Sequence, residues 1–324
     1  MMNNFELNKR FVRDYSLPIQ LINSDTFQYF LNLYETVFSS ATLYNKTLNE
    51  INEKHNGDIN SFLNYYYETR EDIIKKISTS NAFKKLNEMD MQKYSISDKI
   101  EVSSKNVYNE SNINKCYLSI DLKKANFQAI NFVDKNILLN SDTYEDFIKK
   151  FTDSNYIINS KYFRSVIFGM MNPKRHITIE KYLINEVWKT YKEKFPYDSN
   201  ICSLSNDEIV INTCMNVKDK VSFNSRCVDI KRFVREELGL EISVNYYFLE
   251  GYQLYSKKSG SPRNTFYTKT NLVSDNVELI CVPTPYYALT YKLFNNIPLE
   301  ELDYHFIYES IDCRFMEEFG IHKL

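Results

Sequence analysis

Cys116-Tyr-Leu-Ser-Ile-Asp121-Leu-Lys-Lys-Ala-Asn-Phe127 is the stretch that decides the fold, and Cys202-Ser-Leu-Ser-Asn-Asp207-Glu208-Ile-Val-Ile211 repeats its pattern. Each begins as a short apolar run typical of a half-buried β-strand, and each run ends in a carboxylate. A charge at such a position is costly unless it is paired or binds a metal. Two such strands side by side predict a site for two divalent cations, the arrangement used to transfer phosphoryl or nucleotidyl groups.

The composition sets broad limits on the fold and on the partners. The 324 residues are 43% hydrophobic, which is enough for one large domain or two to three subdomains. The formal net charge of −2 lacks the basic balance of most nucleic-acid binders, so a positive groove would have to be local. No apolar run approaches the roughly 18 residues of a membrane span, and the N-terminus lacks a secretory apolar core. The scattered cysteines show no CxxC pair, so we expect reduced thiols in a cytoplasmic protein without membrane contact.

The periodicity of apolar residues divides the chain into three regions. Residues 1–112 read as mainly helical, residues 113–270 alternate between strands and helices, and residues 271–324 form a helical and strand extension. The predicted helices are 26–39, 59–68, 71–76, 144–152, 161–171, 177–194, 227–238 and 286–294. The predicted strands are 116–120, 136–139, 201–204, 209–213 and 241–248. The polar stretch 90–114 is predicted to be a long connection.

The carboxylates at the strand ends are the candidate catalytic and metal-binding groups. Magnesium, or manganese in its place, takes oxygen ligands, which Asp121 and Asp207 would supply together with the backbone carbonyl of Leu122. Glu208 follows Asp207 directly, so on a regular strand its side chain points to the opposite face. A bulge or tight hairpin is needed for both acids to reach one site, and Glu208 is therefore an auxiliary ligand. The competing interpretation is that Asp121 ends a strand as a turn former and that Asp207-Glu208 is solvated surface.

The two acidic segments together resemble the palm of template-directed nucleic-acid polymerases. The segment around Asp121 is similar to the first palm motif of reverse transcriptases, family A DNA polymerases and Y-family polymerases. The Asp207-Glu208 segment is similar to their catalytic hairpin, in the Asp-Glu form of families A and Y. The resemblance implies an α+β fold in which an antiparallel-sheet palm-like domain with helices on one face occupies 113–270. It also implies a small fingers-like insertion at about 140–195.

Lys161-Tyr-Phe-Arg164-Ser-Val-Ile-Phe168-Gly169-Met-Met-Asn172 lies between the two acidic segments and is similar to the fingers helix of family A. The resemblance implies that Arg164 binds the triphosphate and that Phe168 contacts the nucleobase. Residues 164, 168 and 172 share one helical face, which supports a common function. The chain departs from family A at Asn172, where tyrosine is expected, and at Asn206, where histidine is expected. Reverse transcriptases mostly carry Asp-Asp in the hairpin and a Pro-Gln-Gly segment that is absent from this sequence.

Polar and basic residues near the acidic segments are candidate substrate-binding groups. Phosphate oxygens pair well with arginine and lysine, which makes Lys124, Lys174 and Arg175 candidates for binding a triphosphate or a primer backbone. Either Asn126 or Phe127 is expected next to the ribose 2′ position, and the sequence leaves open which one faces the site. A basic loop, 257–263, is either a second phosphate contact or a solvated hairpin tip.

Three functions are consistent with these residues. The leading hypothesis is a template-directed nucleotidyltransferase, a DNA polymerase or reverse-transcriptase-like enzyme that uses nucleoside triphosphates and a nucleic-acid primer and template. A metal-dependent nuclease needs similar acids and a further ligand, for which Glu180 and Glu186 lie at no convincing spacing. The third hypothesis is a phage- or mobile-element-like protein whose palm-like domain binds nucleic acid or a protein without catalysis. No GxxxxGK[ST] phosphate loop or GxSxG nucleophile motif occurs.

Overall fold

The N-terminal region is helical, as predicted. The computed structural model describes residues 2–21, 23–96, 100–104, 106–196, 200–213 and 220–324. The first helices are α1 (Met2–Asp14), α2 (Ser24–Leu33), α3 (Glu35–Phe38), α4 (Ser40–His55), α5 (Ile59–Ser78) and α6 (Asn81–Glu88). Several begin at a polar cap: Asn23 Oδ1 accepts a hydrogen bond from Thr26 N at 2.8 Å, and Asp58 Oδ1 accepts one from Asn60 N at 2.9 Å.

Two boundaries in this region differ from the prediction. The expected helix 26–39 is two helices, because the backbone turns at Tyr34 and Ser39 adopts a left-handed conformation with φ of 51°. The expected helices 59–68 and 71–76 are the single helix α5, because neither of the two residues between them, Thr69 and Arg70, breaks a helix.

The remaining elements alternate between strands and helices. In chain order they are β1 (Lys115–Leu122), α7 (Ala125–Val133), α8 (Tyr144–Ile148), α9 (Asn155–Asn159), α10 (Lys161–Gly169), α11 (Pro173–Lys194), β2 (Ile201–Leu204), β3 (Glu208–Thr213), α12 (Lys220–Leu238), β4 (Ile242–Ser256), β5 (Pro262–Asn271), β6 (Val277–Ile280), α13 (Thr284–Phe294), β7 (His305–Tyr308), β8 (Ile311–Arg314) and β9 (Phe319–Lys323). The predicted strand 136–139 is wrong. Residues 135–138 form a short 3₁₀ helix, which Asp134 caps through its Oδ1 and the N–H of Asn136 at 2.9 Å.

The strands form one antiparallel sheet in the order β2-β3-β1-β4-β5-β6, and β9 pairs with the far half of β4. Helices connect β1 to β2 and β3 to β4, so the segment from β1 to β4 follows a β-α-β-β-α-β pattern. The two acid-ended strands are therefore direct neighbours, although α7 to α11 separate them in the chain. This arrangement confirms the predicted mixed α+β class with an antiparallel sheet.

The two faces of the sheet differ in what covers them. Alternate residues of β1, among them Leu118 and Ile120, belong to the main hydrophobic core with residues of α7, α11 and α12. Tyr117, Ser119 and Asp121 lie on the other face, because successive side chains of a strand point to opposite sides. We call this second side the open face. The residues Val107 and Tyr108 pack on it at the Tyr117 end, away from Asp121.

The main core runs through all three regions of the chain. It includes Phe11 and Tyr66 from the N-terminal helices, Phe163 from α10, and Ala288 from α13. The rings of Tyr66 and Phe163 meet edge to face with centroids 4.9 Å apart. The division at residues 112 and 270 stays a prediction, since these regions share one core.

A buried lysine connects the C-terminal extension to the N-terminal helices. The side chain of Lys292 on α13 is 1% exposed, and its Nζ lies 2.9 Å from Asp303 Oδ2 and 2.8 Å from Glu300 Oε1. It also donates a hydrogen bond to the hydroxyl of Tyr29 at 2.6 Å, and that hydroxyl donates to Asp303 Oδ1 at 2.8 Å. The extension is thereby joined to α2 as well as to the sheet through β9.

The described part of the chain has no helix that is both long enough and apolar enough to cross a bilayer. Its cysteines are free thiols: Cys116, Cys202 and Cys227 are buried, Cys281 is exposed, and Cys313 is partly exposed. Cys214 lies outside the described residues.

Candidate active site

The register of the sheet brings the predicted acids together. Asp121 on β1 lies directly opposite Glu208 on β3, so these side chains share the open face. The N–H of Leu122 donates to the carbonyl of Asp207 at 2.8 Å, which extends the pairing one step into the β2–β3 turn. The tight hairpin that the sequence required for both acids is present.

The β2–β3 turn is held by Ser205. Its Oγ accepts the N–H of Glu208 at 2.9 Å and that of Asp207 at 3.3 Å, and it donates to Asp207 Oδ1 at 3.0 Å. On the next row of the sheet, Ser119 Oγ donates to Glu208 Oε1 at 2.6 Å. Glu208 is therefore the acid in direct register with Asp121, and Asp207 approaches from the turn.

Burial and two neighbouring acids raise the cost of ionising Asp121. The pKa of Asp121 rises to about 6, chiefly because the carboxyl is partly buried and further because Asp207 and Glu208 are negative neighbours. Lys269 and Lys161 oppose this rise. A bound cation would relieve the same repulsion, so the electrostatics of this site favour positive charge.

The oxygen donors fit magnesium or manganese. Magnesium is usually held by one or two carboxylates and completes its coordination with water and substrate phosphates. Asp121 and Asp207 can supply those carboxylates, with the carbonyl of Leu122 next in the chain, while the Leu122 side chain is buried in the core. Among the described residues there is no group of three or more His, Cys, Asp or Glu side chains arranged to hold a metal.

Two basic groups meet beyond the end of β1, Lys124 from the turn after the strand and Arg164 from α10. Lys124 and Arg164 both lie over the ring of Tyr144, at 5.6 Å and 5.5 Å from its centroid. Lys124 has a left-handed backbone and pairs with Glu145. The Nε of Arg164 is buried and has no hydrogen-bond partner among the described residues. The helix that was predicted to bind triphosphate therefore presents a basic group close to the acid-bearing strand.

Two of the predicted substrate-binding residues are buried in the hydrophobic core, and a third lies at a helix start. Phe168 is 0% exposed and Phe127 is 3% exposed, and both rings pack near Tyr144 in the core. A nucleotide cannot reach either ring in this conformation, so these two residues are corrected from substrate contacts to core residues. Asn126 is half-buried at the start of α7, and its Oδ1 accepts the N–H of Phe127 at 2.9 Å.

The two basic residues at the start of α11 differ in their contacts. Arg175 donates to the carbonyl oxygens of Leu86 at 3.0 Å and Met89 at 2.6 Å, so it connects α11 to the end of α6, and its role as a phosphate ligand stays a prediction. Lys174 is exposed in the first turn of α11.

The basic loop 257–263 is the β4–β5 turn. Arg263 pairs with Glu317 at 2.7 Å, and Lys257 pairs with Glu318 at 3.6 Å.

Sequence reasoning missed three neighbours of the acids. Ser119 lies two residues before Asp121, so strand alternation was a usable signal for its placement on the open face. Lys161 on α10 and Lys269 on β5 both lower the pKa of Asp121 through their charge, and no local pattern marks them.

A separate cleft of about 910 Å³ opens on the helical side of the sheet, beyond the end of β1. Its lining includes Lys123, Asn131, Phe132 and Glu241, and it meets the basic group at Lys124. Asp121, Asp207 and Arg164 do not line it, so the cleft is not the space between the acids and α10.

No protein-family model, no curated protein and no solved structure matches the chain. The function is therefore argued from the geometry of the site.

Proposed function

We propose that the chain is a template-directed nucleotidyltransferase that extends a nucleic-acid primer with nucleoside triphosphates. The observation that carries this proposal is the pairing of Asp121 with Glu208 across neighbouring strands, with Asp207 in the adjoining turn. Acids from two segments far apart in the chain lie at one end of an antiparallel sheet. The helices α7, α11 and α12 pack on the opposite face of that sheet, in the main core.

The acids would hold the reacting ends of the two substrates. A magnesium or manganese ion, when bound, would neutralise phosphate charge and lower the pKa of the attacking hydroxyl. Asp121 and Asp207 fix the position of that charge, and the hydrogen bond from Ser119 holds the Glu208 carboxylate beside them. The barrier to nucleotidyl transfer falls mainly through such positioning and charge neutralisation, which requires little covalent chemistry from the protein.

Arg164 and Lys124 would bind the triphosphate. A guanidinium group whose Nε has no partner can donate a hydrogen bond to a phosphate oxygen without first breaking one inside the protein. Asn126 is the residue left for contact with the sugar, because Phe127 is buried. The bulky aromatic side chain that would favour deoxynucleotides is thus withdrawn from the site.

Incorporation of labelled nucleotides into a primed template, with magnesium or manganese, tests the proposal. We expect Asp121→Asn and Asp207→Asn each to lower incorporation at least 100-fold, while the control Asp229→Asn, an exposed residue of α12 paired with Arg232, retains it. If both variants still incorporate nucleotides, the assignment of Asp121 and Asp207 as the catalytic site is wrong.

The same assay separates the alternative functions. Loss of primer without any extension would indicate the nuclease, and binding of nucleic acid or protein without either reaction would indicate the non-catalytic module. The structure gives the nuclease little support, because Glu180 contacts His176 at 3.2 Å and Glu186 pairs with Lys189 at 2.8 Å along α11.

A further inference from the structure

Lys269 is a half-buried cation on the open face of the sheet. Its Nζ lies 4.4 Å from the centroid of the Tyr247 ring. Glu278 is its cross-strand neighbour on β6, yet no carboxylate of the described residues forms an ion pair with Lys269. An ammonium group in no close ion pair can bind an anionic ligand without first breaking such a pair.

The ammonium group of Lys269 lies over one of two stacked tyrosine rings. Tyr247 on β4 lies opposite Tyr117 on β1, and the two rings stack with centroids 5.6 Å apart. Tyr117 shares the open face with Asp121, four residues along the same strand. The ammonium group thus lies over the same face as the acids, although β5 is not a neighbour of β1.

The surface between this cation and the acids is polar and uncharged. Ser243 lies opposite Asp121, and Asn245 lies opposite Ser119, so both face the same side of the sheet. Ser243 and Asn245 are partly exposed. Hydroxyl and amide groups of this kind can bond to the sugar and phosphate oxygens of a nucleic-acid strand.

A nucleic-acid strand near the three acids needs a cation to offset their negative charge. The cluster of Asp121, Asp207 and Glu208 repels a polyanion, and Lys269 is one of two cations that counter the field at Asp121. The other is Lys161, at the start of α10 on the side of Arg164. The two lysines lie on different elements, Lys161 on α10 and Lys269 on β5.

We propose that Lys269 is a positioning residue that binds a backbone phosphate of a nucleic-acid strand lying on the open face, so that the strand's 3′ end meets Asp121 and Asp207. The inference rests on the proposed function for the identity of that strand as a primer. Binding through Lys269 is nevertheless measurable without catalysis.

The experiment is a salt titration of binding to a fluorescein-labelled primed DNA duplex, without nucleotides, followed by anisotropy. Each phosphate contact contributes about 0.9 to the slope of log K against log salt on duplex DNA. We expect Lys269→Met to lower that slope by about 0.9 and to weaken binding several-fold, and Lys269→Arg to retain the wild-type slope. Lys161→Met is the matched control, because it removes the other cation near Asp121, and it should leave the slope unchanged.

Equal slopes for Lys269→Met and wild type would overturn the inference, as would an equal loss in Lys161→Met or a wild-type protein that does not bind the duplex. Melting temperatures within about 2 °C of wild type would show that the variants are folded. A protein that binds through Lys269 but incorporates no nucleotide would retain this inference and remove the proposed function.

Discussion

At the scale of single residues, Asp121 shows a conflict between stability and function. Its carboxyl is partly buried beside two other acids, and the folded protein raises its pKa to about 6 from the usual 3.8. Because the folded state binds this proton more tightly than the unfolded chain, the group lowers stability progressively as the pH rises from about 4 through 6. Above that range the full penalty applies.

We therefore expect Asp121→Asn to stabilise the fold at pH 7.5 while it removes activity. The gain should be about 1–2 kcal/mol, less than the full pKa shift implies because the site is partly solvated. It should shrink towards pH 4, where the wild-type carboxyl is protonated. Denaturant unfolding at both pH values measures the gain, and a variant less stable than wild type at pH 7.5 would contradict this account.

The two lysines near Asp121 give a second prediction at this scale. Because Lys269 and Lys161 lower the Asp121 pKa, removal of either charge should raise it further. The acidic limb of the pH–rate profile should therefore shift to higher pH in both Lys269→Met and Lys161→Met, whereas only the former should change the salt dependence of binding. An unshifted acidic limb in both variants would show that neither lysine acts on Asp121.

At the scale of elements, the hairpin of β2 and β3 determines which acid faces Asp121. The alternation of a regular strand sends Asp207 and Glu208 to opposite faces, and the sequence alone therefore placed Glu208 in a supporting position. The turn at Ser205 puts Asp207 before the strand begins, so Glu208 takes the paired position. This difference depends on where pairing starts, which is a property of two strands together.

The contact of α11 with α6 gives a prediction that distinguishes structural from functional arginine. Arg175 donates to two backbone carbonyls at the end of α6, so Arg175→Met should destabilise the fold by about 1–3 kcal/mol. Its exposed neighbour is the matched control: Lys174→Met should change stability by less than about 0.5 kcal/mol. Chemical denaturation measures both. A stable Arg175→Met variant with weakened nucleotide binding would support the phosphate-binding role.

At the scale of the whole molecule, one shared core and one buried ion cluster join the N-terminal helices, the sheet and the C-terminal extension. Lys292 and Asp303 are almost fully buried, and each satisfies the charge of the other. Removal of one partner of such a pair leaves an uncompensated charge, which typically costs 3–5 kcal/mol.

Lys292→Met should therefore lower the free energy of unfolding by about 3–5 kcal/mol. The double variant Lys292→Met with Asp303→Leu should recover part of that loss, because neither charge is then buried. Urea denaturation of the single and double variants measures both effects. If the single variant were as stable as wild type, the C-terminal extension would not depend on this cluster.

Local patterns in the sequence account for much of the fold. Short apolar runs marked β1, β2 and β3, and helical periodicity marked α10, α11 and α12 to within a few residues at most boundaries. The prediction failed at residues 136–139, where a short apolar run forms a 3₁₀ helix, because such runs carry no periodicity that distinguishes strand from helix.

The sequence by itself determined that acids end two apolar strands and that a basic helix lies between them in the chain. Only the tertiary structure decided which side chains share a surface: Glu208 opposite Asp121, Lys269 over Tyr247, and Phe168 withdrawn into the core. The physical reason is that the type of an element follows from local periodicity, whereas the surroundings of a side chain depend on strand register and on packing between segments far apart in sequence.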